Sequence, residues 1–421
     1  MEKIKNLLKN QYIVVFLLFT VLFFLNDPPV SVDESIPLPG QEYQEYEPEE
    51  HIKEQVVIEE EILSAIVSEA PTSTESEIKE SDFQAPEIVK AVYLTSWSAA
   101  SPYMTNYVID LAKNTEINSV VVDIKDWSGY VNYNTEVSEV EKYNAERYLI
   151  SDIKALVEKF HKNEIYVIAR ISVFQDPILA WSRPDLAVRR KSDDSLLWLD
   201  RMGLAWIDPS SKEAWDYNIA IAKDVLNQGF DELNFDYIRF PSDGDLGDLS
   251  FSLWNSTSTT RVSVIKDFYS YLRQNIPNGV LSADLFGLST ESSDLGIGQK
   301  IEYAYQYFDF VCPMVYPSHY AQGYTGYENP AEYPYEVIKN AMEKGLVKLI
   351  DFKNTTSTNA KLRPWLQDFD LGAEYGEEEV KLEIKAVKDA LGDNFSGFML
   401  WSPENFYTRG ALSTTTQNLL E

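Results

Sequence analysis

The strongest constraint on this chain is a succession of eight short apolar runs, rich in β-branched and aromatic residues and alternating with stretches of helical period. The first four are KAVYLTSW (Lys90–Trp97), INSVVVDIKD (Ile117–Asp126), IYVIARISVF (Ile165–Phe174) and ELNFDYIRF (Glu232–Phe240). GVLSADLFG (Gly279–Gly287), FDFVCPMVYP (Phe308–Pro317), KLRPWLQDF (Lys361–Phe369) and FSGFMLWSPE (Phe395–Glu404) follow. Amphipathic segments such as ISDIKALVEKFHKN, KEAWDYNIAIAKDVLNQG and EEEVKLEIKAVKDALG lie between them. Several close on Gly or Asn, as helix C-termini prefer. Nearly continuous apolar strands alternating with helices mark parallel βαβ units. Eight of them predict an α/β fold, a (β/α)8 TIM barrel with enlarged βα loops. An open doubly wound sheet is the alternative. It lacks support, because no strand leads into a glycine-rich phosphate loop.

Polar residues gather at the C-terminal ends of these runs: Lys125 and Asp126, Asp236 to Arg239, Asp284, Tyr316 with His319, Gln367 and Asp368, and Trp401 to Glu404. In a barrel those ends converge on the face that carries catalytic groups. FDELNFDYIRFP, Phe230–Pro241, is the clearest case. Strict alternation puts Asn234 and Asp236 on one face and Leu233, Phe235 and Tyr237 on the other, so the polar pair points inward. A buried charge is costly unless paired. Asp236 is therefore expected either to do chemistry or to be neutralised by Arg239 or Arg170. Asp284, on the adjoining strand, is the second acid. Neighbouring carboxyls push their pKa values apart, leaving one protonated as general acid and the other ionised as nucleophile or base.

Other chemistries lack their residues. The three histidines, His51, His161 and His319, fall in the linker, in a helix and after the sixth strand, so a histidine-rich metal centre cannot assemble. No metal and no cofactor are expected. G-x-S-x-G, P-loop and dinucleotide fingerprints are missing. Cys312 is the single cysteine, which forbids an intrachain disulfide and reads as a small buried residue. A net charge of −31 repels phosphate and excludes nucleic acid as the default partner. Carboxylates, aromatic rings and a few cations remain, the inventory of a glycosidase. Asp236 and Asp284 are the expected catalytic pair. Lys125, Asp126, Arg170, Asp176, Arg239, Tyr316, His319, Trp365, Gln367, Asp368, Trp401 and Glu404 are the expected substrate contacts, and Glu404 is also a rival proton donor.

The N-terminal part reads differently. Lys3, Lys5 and Lys9 precede YIVVFLLFTVLFFL (Tyr12–Leu25), and no small-residue cleavage site follows. Residues 1–26 are expected to be an uncleaved signal anchor, with a cleaved signal peptide as the alternative. Either places the remainder outside the cytoplasm. Residues 27–87 are rich in Glu, with Lys53 and Lys79 as their only lysines or arginines, and are expected to form a disordered tether. Residues 88–421 are the expected barrel domain.

VVVDIKDWSGYVNY, IARISVFQDPILAWSRPDLAV, WIDPSSKEAWDYNIAIAKDVLNQGFDELNFDYIRFPSDG, SADLFG, DFVCPMVYPSHY and RPWLQDF occur in this order. From about Ile88 to the C-terminus the chain thereby resembles the bacterial "putative glycosyl hydrolase domain" family, described as TIM-barrel proteins distantly related to the α-amylase type. The resemblance implies a carbohydrate-active hydrolase in which Asp236 corresponds to the α-amylase-type nucleophile. The sequence departs from that wider pattern at three places. Asn234 stands where an arginine precedes the nucleophile by two residues, the fifth-strand acid is Asp284 rather than Glu, and Trp127 interrupts KDWSG. The expected function is an extracytoplasmic glycoside hydrolase acting on a cell-envelope or extracellular polysaccharide. A tethered barrel that binds glycan without cleaving it is the alternative, and a metal-dependent deacetylase, opposed by the histidine count, the third.

Overall fold

The computed structural model describes residues 83–413. The apolar segment Tyr12–Leu25 and nearly all of the acidic tether lie outside the described residues. Among the described residues no helix is long and apolar enough to cross a membrane.

Eight parallel strands close into a barrel. They are β1 (Val89–Leu94), β2 (Ser119–Lys125), β3 (Tyr166–Ser172), β4 (Glu232–Asp236), β5 (Val280–Phe286), β6 (Phe310–Met314), β7 (Trp365–Gln367) and β8 (Gly397–Trp401). Each pairs with its sequence neighbours, and β1 pairs with both β2 and β8, which completes the ring. Seven helices alternate with them: α1 (Pro102–Asn114), α2 (Ile153–His161), α3 (Lys212–Asn227), α4 (Arg261–Asn275), α5 (Ile301–Tyr307), α6 (Pro334–Thr355) and α7 (Glu377–Leu391). Local chemistry sets several helix starts. The side chains of Asp152, Ser211 and Thr260 accept from Ala155, Ala214 and Ser263 N–H at the starts of α2, α3 and α4, satisfying donors that the helix leaves unpaired.

Two strands are shorter than the apolar runs suggest. β4 stops at Asp236 because Tyr237 turns into the left-handed region, φ 53°. The seventh run is split into Lys361–Leu362 and Trp365–Gln367, since Pro364 has no N–H to give a ladder.

Period-two alternation divides the core. One set of side chains packs between strands and helices, and a second, including Ala91, Val121, Ile168, Cys312, Trp365 and Met399, fills the barrel. Cys312 is buried, as expected. At the floor Glu232 and Arg363 form an ion pair sealed from solvent, with the Arg363 guanidinium 4.1 Å from the Phe310 ring. At the opposite end the βα loops are enlarged. The loop after β2 adds the short strands Val131–Tyr133 and Glu146–Ile150, and the loops after β3 and β4 pair through Val188–Arg190 and Leu249–Phe251.

Candidate active site

Interior parity on β2 to β5 carries Asp123, Arg170, Asp236 and Asp284 to the C-terminal mouth. Asp123 and Arg170 are cross-strand partners. Arg170 is the hub: Nη1 donates to Asp123 Oδ1 at 2.6 Å, Nη2 pairs with Asp236 Oδ2, and Nε lies 3.7 Å from Asp284 Oδ2. Burial opposes the charge of Arg170, but Asp123, Asp236 and Tyr93, with Asp284, hold its pKa well above the ordinary value. The Tyr93 hydroxyl donates to Asp123 Oδ2.

Three carboxyls therefore share one guanidinium, and their environments differ. Asp236 is 6% exposed and accepts the Tyr237 N–H on Oδ1 at 2.6 Å. Asp284 is 1% exposed. Its Oδ1 accepts from Asn234 Nδ2 at 2.8 Å and Trp365 Nε1 at 2.7 Å, while Oδ2 is buried and accepts no hydrogen bond. Burial, then the charge of Asp236, pushes its carboxyl up to about 8, against the pull of Arg170, Asn234 and Trp365. Asp123 is raised to about 6, again by burial, with Arg170 opposing. Asp284 is thus the carboxyl of this cluster that most favours the protonated form, with Oδ2 facing Arg170 Nε. A carboxyl that favours its proton beside a second acid is what acid-assisted displacement at an anomeric carbon requires.

Aromatic rings line the β1, β6, β7 and β8 side. Trp401, partly exposed, has the rings of Phe369, Tyr316 and Tyr93 at 5.1, 6.0 and 6.2 Å. His319 is exposed at the rim, 5.2 Å from Tyr316. Arg239 lies near the mouth among the rings of Trp206, Phe286 and Tyr237. Glu404 is exposed on the loop after β8, and no hydrogen bond or ion pair joins it to other described residues.

Several expected substrate contacts occupy different places. Lys125 and Asp176 form a fully buried ion pair at 2.8 Å, and Lys125 also donates to Ser172 O at 2.6 Å. A β-bulge between Asp123 and Lys125 sets Lys125 opposite Ile171 and takes it off the interior parity. This suits holding a loop and offers nothing to a sugar. Trp365 is buried as a donor to Asp284 and is not an open stacking surface. Gln367 is sealed between Ser318 and Phe369 O, and Asp368 accepts from Thr408 N and Oγ1 at 2.8 and 2.7 Å. Asp126 is largely buried and organises its own loop through Ser128 and Asn132. Asp123 and Tyr93 were not among the expected site residues. The alternation that singled out Asp236 also marks Asp123, two residues after the interior Val121.

The fold and site together make this a closed (β/α)8 barrel with a carboxyl cluster at its C-terminal mouth. The chain belongs to the family described as "Putative glycosyl hydrolase domain", whose model matches residues 91–407. A solved hypothetical protein from Ruminiclostridium thermocellum is 39% identical, over 46% of this chain and 96% of that one, with a TM-score of 0.43. Flavobacterium johnsoniae chitobiase is 11% identical over 79% of this chain and 48% of its own, TM-score 0.47. Thermus thermophilus alpha-galactosidase is 11% identical over 78% and 60%, TM-score 0.45. No curated protein matches the chain.

Proposed function

We propose that the barrel is a metal-independent glycoside hydrolase in which Asp284 is the general acid and Asp236 the nucleophile or base. The observation that carries this reading is the pair of acids on one arginine, Asp236 paired with Arg170 and Asp284 beside its Nε, where burial raises the Asp284 carboxyl to about 8. Asp284 would give its Oδ2 proton to the glycosidic oxygen as that bond breaks. Asp236 would attack the anomeric carbon, or take a proton from the water that does. Asp284 Oδ2 is sealed, so substrate reaches it only when the groups around it, Arg170 among them, shift. Trp401, the partly exposed ring of this group, offers a face on which a sugar stacks.

The N-terminal lysines and the apolar run support a membrane-anchored protein with the barrel outside the cytoplasm, so that an envelope or extracellular polysaccharide is the substrate in reach. Protease shaving of intact cells tests this: a barrel degraded only after lysis rejects it. The activity test is glycan release from cell-envelope and extracellular polysaccharides by the full chain, with and without chelator. Activity that survives Asp236→Asn undiminished rejects the catalytic assignment, and activity abolished by chelator rejects metal independence. The burial of both acids also supports a second reading, a glycan-binding barrel without turnover. Tight binding, no released sugar and indifference to Asp236→Asn would select it.

A further inference from the structure

Arg239 differs from Arg170 and Arg363. Arg170 has three carboxylates around it, and Arg363 has Glu232. Arg239 is 6% exposed, and no ion pair is found for it among the described residues. Its hydrogen bonds go from Nη1 to Phe240 O at 3.2 Å and Ser242 Oγ at 2.9 Å. Nε and Nη2 make none. Neither is among the sealed orphan atoms, where Nε of Arg363 is found, so both keep an opening to solvent.

The surroundings narrow what can approach. The rings of Trp206, Phe286 and Tyr237 lie 4.7, 4.8 and 5.3 Å from the guanidinium carbon and supply apolar and cation–π support. Tyr237 directly follows Asp236, and Phe286 is two residues beyond Asp284, which places Arg239 at the same mouth. Burial lowers its pKa, and Tyr237, Asp243, Asp236 and Asp200 offset that only in part. A cation taken from water with a free planar edge is completed by an anion of matching shape. A carboxylate fits that edge with two parallel hydrogen bonds. A dianionic phosphate carries twice the charge past the acids around Arg239, Asp243, Asp236 and Asp200, and meets more repulsion than a monoanionic carboxylate.

We propose that Arg239 is the subsite for a sugar carboxylate, so that the glycan bound at this mouth carries uronic acid or a carboxylate-bearing ether substituent. The proposal rests on the glycosidase reading for its substrate class, though not for its binding chemistry.

The test is calorimetric titration of the full-length protein with two matched pairs: oligogalacturonate against its carboxyl-reduced form, and an N-acetylmuramic-acid disaccharide against chitobiose. In at least one pair the charged member binds about tenfold or more tighter, as a charge-assisted contact predicts. Arg239→Gln removes that preference and Arg239→Lys keeps part of it. The pair that discriminates identifies the source of the carboxylate. Equal binding within both pairs, no binding of either charged ligand at millimolar concentration, or a preference intact in a folded Arg239→Gln protein overturns the proposal. If Arg239→Gln fails to fold, the wild-type preference and Arg239→Lys decide. Preference without cleavage leaves the subsite standing and rejects the hydrolase. Cleavage without preference rejects the subsite alone.

Discussion

Arg170 Nε lies 3.7 Å from Asp284 Oδ2, an oxygen that accepts no hydrogen bond and is closed to solvent. The same guanidinium holds Asp123 and Asp236 through its other two nitrogens. Burial, then the charge of Asp236, raises the Asp284 carboxyl to about 8, so Asp284 is the acid of the cluster that favours the proton. The chemistry of the mouth follows from that relationship.

Activity should therefore fall as pH rises through about 8, where Asp284 loses its proton. Asp284→Asn should lower kcat/KM by about 100- to 10,000-fold, the usual contribution of a positioned acid. The pH dependence of kcat/KM on a substrate with a poor leaving group is the measurement. An unchanged alkaline limb in Asp284→Asn would assign that limb to another group.

Stability should also fall as pH rises, over a lower range. A carboxyl raised in the folded state binds a proton more tightly there than when unfolded, so its contribution is complete at low pH and is lost between about 4 and about 8. Asp284→Asn keeps an acceptor for Trp365 and removes the titration. Its melting temperature relative to wild type should be higher at pH 9 than at pH 5, as thermal denaturation at the two pH values would show.

Arg170→Met should cost about 3–5 kcal/mol in chemical denaturation at pH 8, because it leaves buried carboxylates uncompensated. The loss should shrink at pH 5, where the acids take up protons. Arg170→Lys should recover little, since one ammonium cannot reach three carboxylates in the directions a guanidinium does.

At the barrel floor, Arg363→Met alone strands Glu232 and should destabilise by about 3–5 kcal/mol, whereas Glu232→Met with Arg363→Met should recover most of that. Neither change touches the mouth. Urea unfolding of the two single variants and the double variant measures the coupling.

Gly397 opens β8 with φ 116°, and an added Cβ would stand 1.7 Å from Val89 O. Gly397→Ala should exceed the usual range of about 0.5–3 kcal/mol for point changes, because it wedges apart the seam where β8 meets β1. Loss of soluble folded protein, or a large drop in the denaturation midpoint, is the expected result.

Much of this molecule is a local property of its chain. Alternation of period two, helical stretches and turn residues lie within a few positions of one another, so the barrel strands and the inward face of Asp236 are legible in one dimension. So is Asp284, as an acid on the adjoining strand. The place of Lys125 has a local cause invisible to the sequence pattern: a bulge inserts one residue and turns the side chain off the interior face. Trp365 reads as a sugar platform from its neighbours in sequence, but the fold places it against Asp284, 81 residues away. The role of Arg170 is of the same kind. Which acids share its guanidinium depends on the register of β2, β3, β4 and β5, and thus on distances across the barrel. Composition and periodicity determined the barrel and where its polar ends gather. Only tertiary packing decided which carboxyl keeps a proton, because desolvation and charge coupling act between residues that the chain brings together last.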